Sequence, residues 1–141
     1  MPDKMSRFIQ IFVICSRILK MKTIVLFALV AVAAVKAETY VTADDDLDMK
    51  AVVADLDRLV RYLDCFMDRA PCSVRTASYK KIIADSIATG CAKCNNAQKR
   101  LANDFISGIK AILPLEYFNF RLKYDPEGKH FDDFEKIVHG Y

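Results

Sequence analysis

The side chains best suited to chemistry are cysteines, and four of the five fall in one stretch. Cys65, Cys72, Cys91 and Cys94 are spaced C-x6-C-x18-C-x2-C. Three chemistries fit four thiols. Two disulfides suit a chain exported to an oxidising compartment. Four thiolates can hold zinc, although such sites more often pair two short C-x2-C knuckles. Cys91-Ala92-Lys93-Cys94 has the spacing of a redox dithiol, a motif that expects a strand–helix–strand setting. Four cysteines also allow three disulfide connectivities. Pairing of sequence neighbours would close loops of eight and four residues, contributing about 2.5 and 2 kcal/mol. Rings that short pin helix ends and leave the fold to its apolar core.

Other catalytic signals are weak. The two histidines, His130 and His139, lie near the C-terminus, far in sequence from any cysteine, between polar neighbours that suit a surface position. No G-x-S-x-G, H-E-x-x-H or phosphate-cradling glycine loop occurs, so neither a hydrolase nor a nucleotide-binding enzyme is indicated. The chain is read as a non-enzyme that needs no metal and no cofactor.

The N-terminus decides the compartment. Met21-Lys22-Thr23 is a short positive opening, and Ile24 to Val35 is a run of twelve apolar residues without charge. Val35-Lys36-Ala37 then offers small residues where a signal peptidase reads. Residues 21–37 are therefore expected to be a secretory signal peptide, too short to span a bilayer, with the cut after Ala37. Residues 1–20 are read as an upstream extension outside the fold, because Met21 is a natural start. Residues 38–141 form the expected mature domain, and removal of Cys15 leaves an even number of cysteines.

Processing also changes the charge. Of 21 Lys and Arg and 18 Asp and Glu, six and one lie in residues 1–37, which leaves 15 basic against 17 acidic residues. A mildly acidic mature chain lacks the basic footprint a nucleic-acid partner requires.

Hydrophobic periodicity in the mature chain is helical throughout. Met49, Val52, Val53, Leu56, Leu59, Val60, Leu63, Phe66 and Met67 follow an i, i+3, i+4, i+7 stripe. Asp48 can cap its start and Asp55 a second start, so the stretch reads as one helix or two with a bend. Tyr79, Ile82, Ile83 and Ile87 predict a helix of about three turns ended by Gly90. Asn95 to Leu113 is the longest pattern, stopped by Pro114. Leu115, Phe118 and Leu122 predict a short helix, Tyr124 to Gly128 a turn, and Phe131, Phe134, Ile137 and Val138 a last helix. Glu38 to Asp46 reads as an extended, mobile lead-in. No strand pattern appears, so the class is all-α, with five or six helices.

With these residues in place, a family resemblance emerges. The cysteine spacing, Tyr62-Leu63-Asp64-Cys65 followed by Ala70-Pro71-Cys72, Cys91-Ala92-Lys93-Cys94 with Gln98-Lys99, and Lys123-Tyr124-Asp125-Pro126-Glu127-Gly128 together resemble the insect chemosensory proteins, also called the OS-D or ejaculatory-bulb-specific family. The resemblance implies a compact six-helix bundle around a hydrophobic channel, with disulfides Cys65–Cys72 and Cys91–Cys94. It also implies a secreted, soluble carrier of small hydrophobic ligands such as odorants, pheromones, fatty acids or long-chain alcohols. The alternative is a secreted developmental or immune-related signalling protein acting through a protein partner. The expected partner is a small apolar molecule, with no nucleic acid, no lasting membrane insertion and a monomeric chain. The sequence departs from the family where a Trp is usual: Tyr117 stands there, and the chain has no Trp.

A ligand site is then expected on the inward faces. Leu59, Tyr62, Leu63 and Phe66 would supply it from the first stripe, and Ile82, Ile83 and Ile87 from the middle helix. Leu101, Phe105, Ile109 and Ile112 would come from the longest helix, with Tyr117 beside them. Tyr62 is the expected polar handle, with a ring to close the cavity and a hydroxyl to meet a ligand oxygen.

Overall fold

The long apolar stripe that begins at Met49 is broken at Asp55, and the reason is local. Asp48 accepts a hydrogen bond from the Ala51 amide at 3.0 Å and caps the first helix, α1 (Met49–Ala54). Asp55 leaves helical geometry (φ −108°, ψ 103°), accepts from the Arg58 amide, and starts α2 (Leu56–Phe66). Two carboxylates, Asp48 and Asp55, thus convert one amphipathic pattern into two helices with one apolar face. The computed structural model describes Glu38–Tyr141. The expected extension (1–20) and signal peptide (21–37) lie outside the described residues.

Ser73 caps α3 (Val74–Ala88) by accepting from the Thr76 amide. That cap lies further upstream than the apolar periodicity indicated, so α3 is 15 residues long rather than about three turns. Gly90 follows its end at φ +60°, a left-handed position that favours glycine. Asn95 and Gln98 form a reciprocal capping box on α4 (Asn96–Ile112). Pro114 opens α5 (Pro114–Tyr124), where a missing amide costs nothing. Asp125, a turn residue in the sequence pattern, is buried and accepts from the Lys129, His130 and Phe131 amides. These bonds hold the turn before α6 (Phe131–Val138) and lower the Asp125 pKa. The described residues are all-helical, six helices without a strand, and none of these helices is long and apolar enough to cross a membrane.

Packing follows the stripes. Val52, Leu59, Leu63, Ile87, Ile109 and Phe131 are each at most 1% exposed. Helices α1 and α4 approach closely at Gly108, where an added Cβ would lie 2.6 Å from both methyls of Val53. The disulfides pair sequence neighbours, Cys65–Cys72 with Cα atoms 4.9 Å apart and Cys91–Cys94 with 5.0 Å. The first ties α2 to the loop entering α3; the second forms the bend between α3 and α4. With the four sulfurs so bonded, neither the zinc nor the free-dithiol reading applies.

The mobile lead-in is a correction. Residues 40–45 are neither helix nor strand, bend at Ala43 and turn at Asp45, and are pinned along α3 and the start of α4. The Tyr40 amide donates to the Lys93 carbonyl at 3.0 Å, and the Ala43 amide to Ser78 Oγ at 3.0 Å. Asn95 Nδ2 donates to Asp45 at 2.7 Å, and Arg75 pairs with Asp44 at 3.0 Å. Charge in this segment signalled solvent, but the Asp44 and Asp45 carboxylates and the Tyr40 and Ala43 amides have protein partners.

Candidate functional site

The inward faces of the six helices do not meet completely. Between them is a cavity of about 80 Å³, several times the 10–15 Å³ that one water molecule needs. Helix α3 supplies Tyr79, Ile82, Ile83, Ser86 and Ile87, and α4 supplies Gln98, Leu101, Ala102, Phe105 and Ile106. Met49 comes from α1, Phe66 from α2, Phe120 from α5 and Phe134 from α6, while Cys91 and Cys94 close the α3–α4 end. Four aromatic rings of this wall belong to one edge-to-face series. Phe66 meets Phe105 at 5.2 Å between centroids, Phe105 meets Phe120 at 5.8 Å, and Phe131 bridges Phe120 and Phe134 at 6.1 and 5.9 Å. Contacts of this kind add to burial and hold ring orientations.

The polar side chains of the wall are committed to the protein. The Tyr79 ring faces the cavity while its hydroxyl donates to the Asp44 carbonyl, and burial pushes its pKa up to about 12. Gln98 is 4% exposed; its amide nitrogen donates to the Tyr40 carbonyl at 3.0 Å and to Thr42 Oγ1 at 2.8 Å, and its oxygen accepts from the Asn95 amide at 3.1 Å. Ser86 donates to the Ile82 carbonyl one turn back at 2.6 Å. The result is an almost wholly apolar interior, closed on the Gln98 side by the pinned segment 40–45. Among the described residues no group of three or more His, Cys, Asp or Glu side chains could hold a metal ion, and His130 and His139 are exposed.

Six of the twelve expected ligand residues, Phe66, Ile82, Ile83, Ile87, Leu101 and Phe105, line this cavity. The other six are placed elsewhere. Leu59, Leu63 and Ile109 are fully buried in the core cluster but outside the wall. Ile112 is the last residue of α4, just before the Pro114 break, and is 45% exposed. Tyr62 is half-buried with its ring 6.2 Å edge-on to Phe66, so it backs a wall residue rather than entering the wall. Tyr117 faces a polar cluster: its hydroxyl donates to Glu135 at 3.0 Å and accepts from Arg121 at 3.1 Å.

Sequence reasoning missed Met49, Tyr79, Ser86, Cys91, Cys94, Gln98, Ala102, Ile106, Phe120 and Phe134 as wall residues. Some carried a signal. Tyr79 belongs to the same α3 face as Ile83, and a disulfide joining the two helices that contribute most to the wall has to lie at its end. Gln98 had none, because a polar residue in a capping pattern is ordinarily at the surface.

Comparison with known proteins agrees with this geometry. The model of the insect pheromone-binding family A10/OS-D matches residues 40–132. The chain is similar to Allergen Tha p 1 of Thaumetopoea pityocampa, 32% identical over 110 residues that cover 76% of this chain and 86% of that protein. It is also similar to the putative odorant-binding protein A10 of Drosophila melanogaster, 27% identical over 86 residues, 61% of this chain and 56% of that one. Among solved structures, a chemosensory protein in complex with bromo-dodecanol superposes with a TM-score of 0.64 at 28% identity, covering 70% of this chain and 98% of that one.

Proposed function

The chain belongs to the A10/OS-D insect pheromone-binding family, and from that premise we propose that residues 38–141 are a secreted carrier that takes small hydrophobic molecules into the six-helix cavity without covalent chemistry. The observation that carries this reading is the cavity itself, walled by every helix and lacking free polar groups. In water an apolar guest gains about 25 cal/mol for each Å² of apolar surface it buries, so a dry, largely preformed interior suffices for capture. The bromo-dodecanol bound by the similar chemosensory protein is a long-chain alcohol and supports that ligand class.

The size of the site sets a condition. At about 80 Å³ it is smaller than the roughly 150 Å³ that admits benzene in an engineered protein core. A long chain therefore enters only as side chains such as Met49, Ile82 and Ile83 give way. The proposed ligand residues are those of the observed wall, with Tyr62 behind Phe66. Residues 21–37 direct export and are removed in its course, the carrier acts as a monomer, and it catalyses no reaction.

Purified 38–141 should bind the fluorescent probe N-phenyl-1-naphthylamine saturably, and 1-decanol should displace it. Native mass spectrometry of the secreted protein should show lipid-sized adducts that organic solvent removes. Absence of both probe binding and adducts would end the carrier reading. Tryptophan quenching offers no substitute, since the chain has no Trp.

A further inference from the structure

The hydrogen-bond state of the wall restricts what part of a ligand it can read. The wall contains three side chains with polar donors, Tyr79, Ser86 and Gln98. The Tyr79 proton is held by the Asp44 carbonyl, the Ser86 proton by the Ile82 carbonyl, and the two Gln98 amide protons by Tyr40 and Thr42. Cys94 Sγ lies 3.8 Å from Ser86 Oγ, but as a disulfide sulfur it has no proton to give. The nearby Tyr40 hydroxyl donates to Asp85. No wall side chain therefore has a proton left for a ligand oxygen. The wall's half-exposed members are Ile82, Ile83, Cys94 and Ala102, and the rest are buried.

We infer that the cavity reads only the hydrocarbon part of its ligand and leaves the polar head group at the half-exposed side of the wall, so that ligands are ranked by chain rather than by functional group. This rests on the carrier reading and deepens it. A ketone or ester oxygen drawn inside would lose its water partners and find no donor, a cost that opposes entry. An alcohol drawn inside could give its proton to a wall oxygen such as Ser86 Oγ, but its own oxygen would find no wall side chain with a proton to donate. A head group left in water incurs neither loss, while each buried methylene still contributes the full transfer gain.

The test compares decane, 1-decanol and 2-decanone, supplied through the vapour phase to keep free concentrations defined, as competitors of N-phenyl-1-naphthylamine on 38–141. The expected result is three dissociation constants within about threefold of one another, with 1-hexanol at least tenfold weaker than 1-decanol. A tenfold preference for the alcohol or the ketone over decane would show a head group recognised inside and overturn the inference. So would a tenfold deficit of either against decane, because it would show the head group buried unpaired. Equal binding of hexanol and decanol would overturn it as well. Failure of all three ten-carbon compounds to compete with a bound probe, or failure of the probe itself to bind, would instead remove the carrier reading on which the inference stands.

Discussion

Gln98 and Tyr40 are joined across 58 positions of sequence by a single hydrogen bond, the Gln98 side-chain amide donating to the Tyr40 carbonyl at 3.0 Å. The same Gln98 closes the capping box on α4 with Asn95 and presents its stem to the cavity. One buried side chain therefore starts the longest helix, fastens the segment in front of α1 and completes the wall. Gln98→Ala leaves the Asn95 amide and the Tyr40 carbonyl without that partner. It should lower unfolding stability by about 2 kcal/mol, the sum expected for a lost cap and a buried hydrogen bond. Urea denaturation measures this, and a loss below about 0.5 kcal/mol would mean that water replaces the amide at no cost.

The two disulfides should separate stability from binding. Cys65–Cys72 spans a sequence separation of 7 and lies outside the wall, whereas Cys91–Cys94 spans 3 and both its residues line the cavity. Serine pairs at either bridge should cost comparable stability, about 2 to 2.5 kcal/mol from loop closure. Only C91S/C94S should also weaken probe binding, by fivefold or more, because it frees the bend that carries the Tyr40–Lys93 bond. Thermal melts and probe titration on both variants decide this; unchanged affinity in C91S/C94S would place the second bridge outside any binding role, and equal loss in the two would mean that its effect is not specific to the wall.

How much of this was legible depends on what the signal was made of. Two helix starts were legible because capping is local: Asp48 and Asp55 each act within three residues of themselves. The cavity was not, because periodicity reports which side of a helix faces inward and not whether facing side chains meet. Leu59, Leu63 and Phe66 share the buried face of α2, and only Phe66 reaches the wall. Ile112 continues the α4 stripe by spacing, but it is the last residue of α4 and is 45% exposed. The pinned segment at 40–45 was illegible for a different reason. Side-chain bonds to its backbone have no period, and three consecutive Asp residues look like solvent-facing charge from sequence alone.

Asp68 gives the acid dependence a definite sign. It sits at φ 62° just past α2 and is paired with both Lys123 and Lys80. Hydrogen bonds from Lys123, then from Lys80, lower its pKa from 3.8 to about 2. A carboxylate whose folded pKa is depressed stabilises the fold above its unfolded value. That contribution should be intact above about pH 4 and disappear as pH falls from 3.8 toward 2. Asp68→Asn keeps the left-handed backbone accessible and removes the titration. Its stability deficit against wild type should shrink as pH falls through that window. The side chain is 64% exposed, so the deficit should also shrink in 1 M salt. Urea midpoints from pH 2 to pH 6 test both statements, and a pH-independent deficit would contradict them.

Filling the cavity should trade binding for stability. Ala102 is a half-exposed wall residue on α4, and leucine is a good helix former. An empty volume of about 80 Å³ costs about 2 kcal/mol at 24 cal/mol per Å³. Ala102→Leu should recover part of that cost and raise the melting temperature by a few degrees, while weakening the fluorescent probe at least tenfold. Unchanged affinity would place the bound probe elsewhere on the protein.

Gly108 sets propensity against packing in a single substitution. Inside α4, replacing glycine by alanine should stabilise the helix by about 1 kcal/mol on propensity alone. The new Cβ, however, would lie 2.6 Å from Val53 Cγ1 and Cγ2 and 3.2 Å from its Cβ. Valine on a helix has one strongly preferred χ1 well and cannot swing both methyls clear. Relief then requires α1 to move away from α4, and overpacking of this kind costs about 1–3 kcal/mol. Gly108→Ala should accordingly be destabilising despite the better helix former. Val53→Ala in the same chain should reverse the sign, since the second substitution deletes the atoms that clash. A double-mutant cycle by urea denaturation reads this directly: the coupling should favour the double variant by more than about 1 kcal/mol. Additive effects would show that α1 yields freely at its crossing with α4. In that case the Gly108–Val53 approach would not fix the distance between the two helices, and the Met49 side of the cavity wall would be set by its other neighbours.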